Sequence, residues 1–88
     1  MTSSAIENVP RANDVSTTAD ELIVHLMDGR TIIVPFAWYP RLLQATPEQR
    51  GDLRIIGDGE YIRWPQIDED LTVSGLLRGT PAPQRRGG

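Results

Sequence analysis

The chain predicts a small single-domain α+β fold, two β-hairpins with short helices between and after them. Three observations carry that expectation. Glu21 to Met27 alternates with period two, so that Leu22, Val24 and Leu26 share one face and Ile23, His25 and Met27 the other. Asp28-Gly29 follows as a turn, and Thr31-Ile32-Ile33-Val34-Pro35-Phe36 returns as a second strand. A second alternating pair, Leu53 to Ile56 and Glu60 to Trp64, brackets Gly57-Asp58-Gly59.

Each element has a local cause. Asp28-Gly29 is expected to adopt the positive φ angles of a two-residue type I′ turn, and Pro35, which has no N–H, ends the strand or sits at an edge. Past the first hairpin the period becomes helical. Pro40 suits a first helical position, and Trp38, Leu42, Leu43 and Ala45 are read as one apolar face. Thr46-Pro47-Glu48-Gln49 has threonine as N-cap, proline at N1 and glutamine at N3, which is a capping box; Gly51 is the expected stop. In the second hairpin Arg54 and Arg63 are expected to line one face, with Ile55, Ile62 and Trp64 supplying apolar contacts. At the end, Thr72 or Ser74 caps a last short helix that carries Leu76 and Leu77 inward, and Gly79 closes it.

Eighty-eight residues set the scale. A chain of this length buries about 60–65% of its unfolded surface, which leaves little room for a large catalytic cleft. No cysteine is present, which removes disulfides, thiolate catalysis and cysteine-ligated metals together. The first nineteen residues contain neither a basic start nor the apolar run of an export signal, and no stretch is long enough to span a bilayer, so a cytoplasmic protein is expected. Residues 1–19 are read as a partly ordered lead-in, in which 9–16 either add an edge strand or stay loose. Residues 20–79 form the domain, and 80–88, with two prolines and closing glycines, a disordered tail. All nine basic residues are arginine, against twelve acids, for a net charge of -3. Within residues 20–79, ten acids and six arginines leave the domain at -4, a balance that disfavours broad phosphate binding.

No enzyme chemistry stands out, and neither a metal nor a cofactor is expected. Asp68-Glu69-Asp70 is the densest carboxylate run, but consecutive acids in an extended segment point to alternating sides, and no EF-hand spacing follows. His25, the one imidazole, falls on the outer face of a strand without a recognisable nucleophile motif. Gly57-Asp58-Gly59 lacks the third glycine and following helix of a dinucleotide loop. Tyr, Trp and Arg dominate protein interfaces, so Tyr39, Arg41, Tyr61 and Arg63, with Asp68, Glu69 and Asp70, are the candidate partner-binding residues, while Trp38 and Trp64 are assigned to the core. A local patch of Arg41, Arg50, Arg54 and Arg63 is the competing nucleic-acid reading. A small-molecule sensor or homo-oligomeric scaffold is the third, recognisable by an apolar pocket or an exposed strand edge.

Val34-Pro35 through Tyr39-Pro40-Arg41-Leu42, Ala45 to Arg50, Ile56-Gly57 with Gly59, Ile62 through Trp64-Pro65, Ile67 to Leu71 and Gly75-Leu76-Leu77 together resemble the bacterial domain of unknown function 2442 family. The resemblance spans about residues 20–79 and implies a small α+β domain without an established activity. Some relatives continue into a helix-turn-helix DNA-binding domain. Only nine residues follow Gly79, so DNA binding is not carried over. Genes of such proteins often neighbour those of domain of unknown function 4160, in arrangements like toxin–antitoxin pairs. The resemblance thus implies an antitoxin-like role, and the acidic domain, at -4, predicts that the partner is a small basic toxin-like protein from a neighbouring gene.

Overall fold

The computed structural model describes residues 9–79. In chain order the strands are β1 (Ala12–Thr17), β2 (Glu21–Leu26), β3 (Thr31–Pro35), β4 (Arg54–Ile56), β5 (Tyr61–Trp64) and β6 (Glu69–Thr72). The helices are α1 (Pro40–Gln44), α2 (Pro47–Gly51) and α3 (Val73–Arg78). The strands form two antiparallel three-stranded sheets, ordered β1-β2-β3 and β4-β5-β6. Both predicted hairpins are present, and each has gained a third strand. β1 lies in the expected lead-in, where the edge-strand alternative is realised; Thr18 follows it, and the Thr18 hydroxyl accepts from the N–H groups of Asp20 and Glu21 to turn the chain into β2. Residues 1–8 and the expected tail at 80–88 lie outside the described residues.

The first hairpin turns differently from the type I′ expectation. Gly29 has φ +100°, but Asp28 is not among the positive-φ residues. The Gly29 N–H donates to the Leu26 carbonyl at 3.0 Å and the Leu26 N–H to the Arg30 carbonyl at 2.7 Å. That is a three-residue loop, a type I turn followed by a left-handed glycine. It needs only one positive φ. Asp28 is thereby free to bend its carboxylate onto the N–H and Nε of Arg30, which hold that carboxyl below its usual range.

One core joins both sheets. Leu22, Val24, Leu26 and Val34 face inward from the first sheet, Ile62 and Trp64 from the second, and Phe36, Tyr39, Leu42, Val73 and Leu76 close the space between. Each fully buried large side chain contributes about 1.5–3 kcal/mol, the main favourable term for a domain this small. Pro40 stands at the first turn of α1 as expected, but only Leu42 and Ala45 of its predicted apolar face are buried; Leu43 is exposed because five helical residues bury a single row. The capping box of α2 is complete: the Gln49 N–H donates to Thr46 Oγ1 at 3.1 Å and the Thr46 N–H to Gln49 Oε1 at 2.9 Å. Thr72 rather than Ser74 caps α3, accepting from the Gly75 N–H, and Gly79 ends it in the left-handed conformation.

Candidate functional site

The register of the second sheet decides which candidate residues meet. Arg54 pairs with Arg63 and Arg63 with Asp70, while Ile56 pairs with Tyr61 and Tyr61 with Thr72. Side chains directly opposite in a sheet share a face. The outer face of this sheet therefore carries two rows, Arg54–Arg63–Asp70 and Ile56–Tyr61–Thr72. Arg63 is the hub of the charged row: its Nη2 lies 2.8 Å from Asp68 Oδ1 and its Nη1 3.4 Å from Asp70 Oδ2. Asp68 reaches it from a left-handed turn at φ 52°, a conformation aspartate tolerates better than most residues. The Arg63 guanidinium holds the Asp68 carboxyl below its usual range, with Arg41 adding to the effect.

Tyr61 is 41% exposed and its ring rests on Gly57, where an added Cβ would come within 2.7 Å of ring carbon Cδ2. The glycine is required twice, for this approach and for its φ of +60°. Arg41 ties α1 to the turn before β6, its Nη1 donating to the carbonyls of Ile67 and Asp68, both at 3.1 Å. Tyr61, Arg63, Asp68 and Asp70 are thus brought together, with Arg41 at the margin.

Two candidates fall elsewhere. Tyr39 is only 2% exposed and belongs to the core, which removes it from any partner surface. The Tyr39 N–H donates to the Phe36 carbonyl, closing a 3-10 turn over Phe36–Trp38, and residues three apart in such a turn lie on one side. Phe36 is buried, so Tyr39 follows it inward; its hydroxyl is buried without a hydrogen-bond partner among the described residues, and burial, with Glu69 nearby, raises its pKa. Glu69 pairs in register with Trp64 and sits on the inward row of β6, half-buried. Desolvation pushes its carboxyl above the usual range; Arg41 opposes this, while Asp70 and Asp68 reinforce it. The acidic run does alternate, then, and its outward members are engaged by Arg63. Among the described residues no group of three or more His, Asp or Glu is placed to hold a metal ion.

The four arginines of the nucleic-acid reading are largely engaged within the fold. Arg50 donates from Nε to the Leu42 carbonyl at 2.8 Å, from Nη2 to that of Leu43 at 2.8 Å and from Nη1 to that of Ala19 at 3.0 Å. Its guanidinium also stacks 4.7 Å above the Phe36 ring. Arg41 and Arg63 are held as described, and Arg54 lies 3.5 Å from Asp52. A cleft of about 440 Å³ opens beside Val9, Leu26 and Met27, with Arg11, Asp28 and Arg30 on its walls. Its charges are paired too, Arg30 with Asp28 at 2.8 Å and Arg11 with Glu60 at 3.5 Å.

The first sheet presents a second surface that the aromatic-and-arginine criterion passed over. Its outward positions are Asp14 and Ser16 on β1, Glu21, Ile23 and His25 on β2, and Thr31, Ile33 and Pro35 on β3. Ile23 and Ile33 pair directly at the centre, and Ile33 is 54% exposed. Asp14 and Glu21 border them, and no outward position carries a cation. His25 is exposed here, its Nδ1 3.1 Å from Thr31 Oγ1, as its place in the alternation predicted. The same period-two pattern could have drawn attention to Ile23 and Ile33.

The comparisons fit this architecture. The family profile described as "Protein of unknown function (DUF2442)" matches residues 12–82. The chain belongs to that family. A crystal structure of a protein of unknown function from Rhodospirillum rubrum ATCC 11170 is similar over 92% of this chain and all of its own, with 28% identity and a TM-score of 0.78. A solution NMR structure of an uncharacterized protein from Chromobacterium violaceum shares the fold over 85% of this chain and 71% of its own, with 21% identity and a TM-score of 0.72. No curated protein matches. Among the described residues no helix is long and apolar enough to cross a membrane.

Proposed function

We propose that this DUF2442 domain is a non-enzymatic cytoplasmic binding module that recognises another protein, as the antitoxin-like member of a two-gene pair, and that the outer face of its first sheet meets the partner. The observation that carries the reading is the Ile23–Ile33 pair, half-buried at Ile23 and 54% exposed at Ile33, at the centre of a face bordered by Asp14 and Glu21 and free of arginine. Interfaces of this kind place apolar contacts at the centre and charge at the rim, where opposite sign steers encounter and fixes register. A small basic protein with an apolar spot in a cationic surround complements it. The formal charge of -4 over residues 20–79 supports the same partner at longer range.

Co-expression with the product of the adjacent gene, followed by tagged purification and a growth assay, tests the proposal. The expected result is a stable complex and relief of any growth defect the neighbour causes. Ile33→Asp, at an exposed position, is expected to weaken the complex at least tenfold while the domain stays folded by circular dichroism. A folded domain that forms no complex and relieves no growth defect overturns the reading; an Ile33→Asp variant that binds undiminished overturns the assignment of the face.

A further inference from the structure

The second sheet carries a different kind of surface, and it does not suit a uniformly basic partner. Across its outer row the charge changes sign: Arg54 on β4, Arg63 on β5 and Asp70 on β6. The two ends are open to solvent, with side chains 62% exposed at Arg54 and 60% at Asp70. The neighbouring row offers Ile56 and Tyr61, both 41% exposed, beside the small polar Thr72.

From this arrangement we infer that the outer face of the second sheet is a docking site for a second copy of the same chain, packed face to face about a two-fold axis along β5. A two-fold axis parallel to the strands and lying over the central one exchanges the outer strands, so β4 of one copy covers β6 of the other. In that arrangement Arg54 meets Asp70 of the second copy, and Asp70 meets its Arg54. Tyr61 meets Tyr61, and Ile56 meets Thr72. The charge pattern is its own complement under this one operation, as an isologous interface requires. Packing of this kind keeps strand directions within about 30° of each other and the sheets about 10 Å apart. Two further features suit it. The Arg63 charges, which meet near the axis, are each already neutralised by Asp68 and Asp70 of their own copy. The Tyr61 ring is held against Gly57 before contact, so less side-chain freedom is lost on docking.

The first sheet has no such self-complement, because its outward positions include the acids Asp14 and Glu21 and no arginine to meet them. The two surfaces are therefore separable by experiment.

Sedimentation equilibrium over a concentration series, on the full chain, tests the inference by charge exchange. The wild type is expected to dimerise reversibly. Arg54→Asp alone and Asp70→Arg alone each place like charges together and are expected to raise the dissociation constant at least tenfold. The double variant Arg54→Asp/Asp70→Arg restores opposite charges and is expected to recover most of that loss. Circular dichroism checks that each variant folds. The absence of native cysteine permits a second readout: Tyr61→Cys is expected to yield covalent dimers with a short bismaleimide, whereas Ile33→Cys on the first sheet is not. A chain that stays monomeric at millimolar concentration, a folded double variant no stronger than the single ones, or cross-linking through position 33 and not 61 each overturns the inference. Binding of the adjacent gene's product is unaffected by either result at Arg54 and Asp70.

Discussion

The two sheets have the same strand count and opposite means of support. The first is built from strands of five and six residues joined by close turns, and its inward row of Leu22, Val24, Leu26 and Val34 follows from alternation alone. The second has strands of three and four residues, too short for a main-chain ladder to hold unaided. Side chains brace it instead. Trp64 Nε1 donates to the Arg50 carbonyl at 2.9 Å, Gln66 Nε2 donates to Asp52 Oδ2 at 2.9 Å, and Arg41 and Arg63 bind the turn before β6. Regular ladders leave outer faces free to vary. Braced sheets spend their polar side chains on themselves, which is why most of the second sheet's arginines and aspartates are already paired.

Trp64→Ala is the severest way to break this contrast. It empties the largest fully buried side chain and removes the bond to α2, for an expected cost of about 3–5 kcal/mol, against total stabilities of about 5–15 kcal/mol for native proteins in general. Leu22→Ala in the first sheet is expected to cost about 2–4 kcal/mol, since it deletes packing and no brace. Urea midpoints measured at unchanged slope compare the two; a larger loss for Leu22 would reverse the contrast. A middle-sized effect is expected from Arg50→Lys. An ammonium cannot reach the carbonyls of Leu42, Leu43 and Ala19 together or lie flat on Phe36, so about 1.5–3 kcal/mol is lost. Arg30→Ala, which deletes a solvent-exposed pair in the first sheet's turn, is expected to cost under about 0.5 kcal/mol by the same measurement. Equal losses at positions 50 and 30 would show that the braces carry no special weight.

The same contrast explains which parts were legible in the sequence. Local physics announces β2, β3, α2 and the cap of α3, because alternation, proline placement and hydroxyl caps act within a few residues. β1 is readable only as one of two alternatives, an edge strand or a loose lead-in, and β6 is not foreseen as a strand. Ala12–Thr17 has only Ala12 and Val15 as apolar residues, and Glu69–Thr72 only Leu71, so each becomes a strand by pairing with a neighbour rather than by its own pattern. Tyr39 looked like an interface anchor because an arginine follows it closely, whereas the 3-10 turn that carries it inward depends on Phe36 finding the core. Arg50 looked like a free cation, and only the folded chain brings the carbonyls of Ala19, Leu42 and Leu43 around it. At the candidate site, residue types were readable, but the sign change from Arg54 to Asp70 exists only once β6 is a strand.

The smallest expected effect concerns Glu69, the one acid of the second sheet that points inward. Burial raises its folded pKa above the unfolded value, so its protonated form suits the fold better than its anion. Its contribution to stability is therefore fully present below the unfolded pKa and lost as pH rises through the folded one. Asp68 runs the other way: Arg63 depresses its folded pKa, and the stability it contributes is present above the unfolded value and lost as pH falls through the folded one. Glu69→Gln keeps the shape and removes the charge. It is expected to stabilise the domain at pH 7 by less than about 1 kcal/mol, solvent screening keeping the gain small, and the gain should shrink as pH falls through the carboxylate range. Asp68→Asn should instead destabilise at pH 7 and become neutral in acid. Thermal melts across that range separate the two, and a gain for Glu69→Gln that ignores pH would mean that packing, not the half-buried charge, sets the cost of an inward acid on this edge strand.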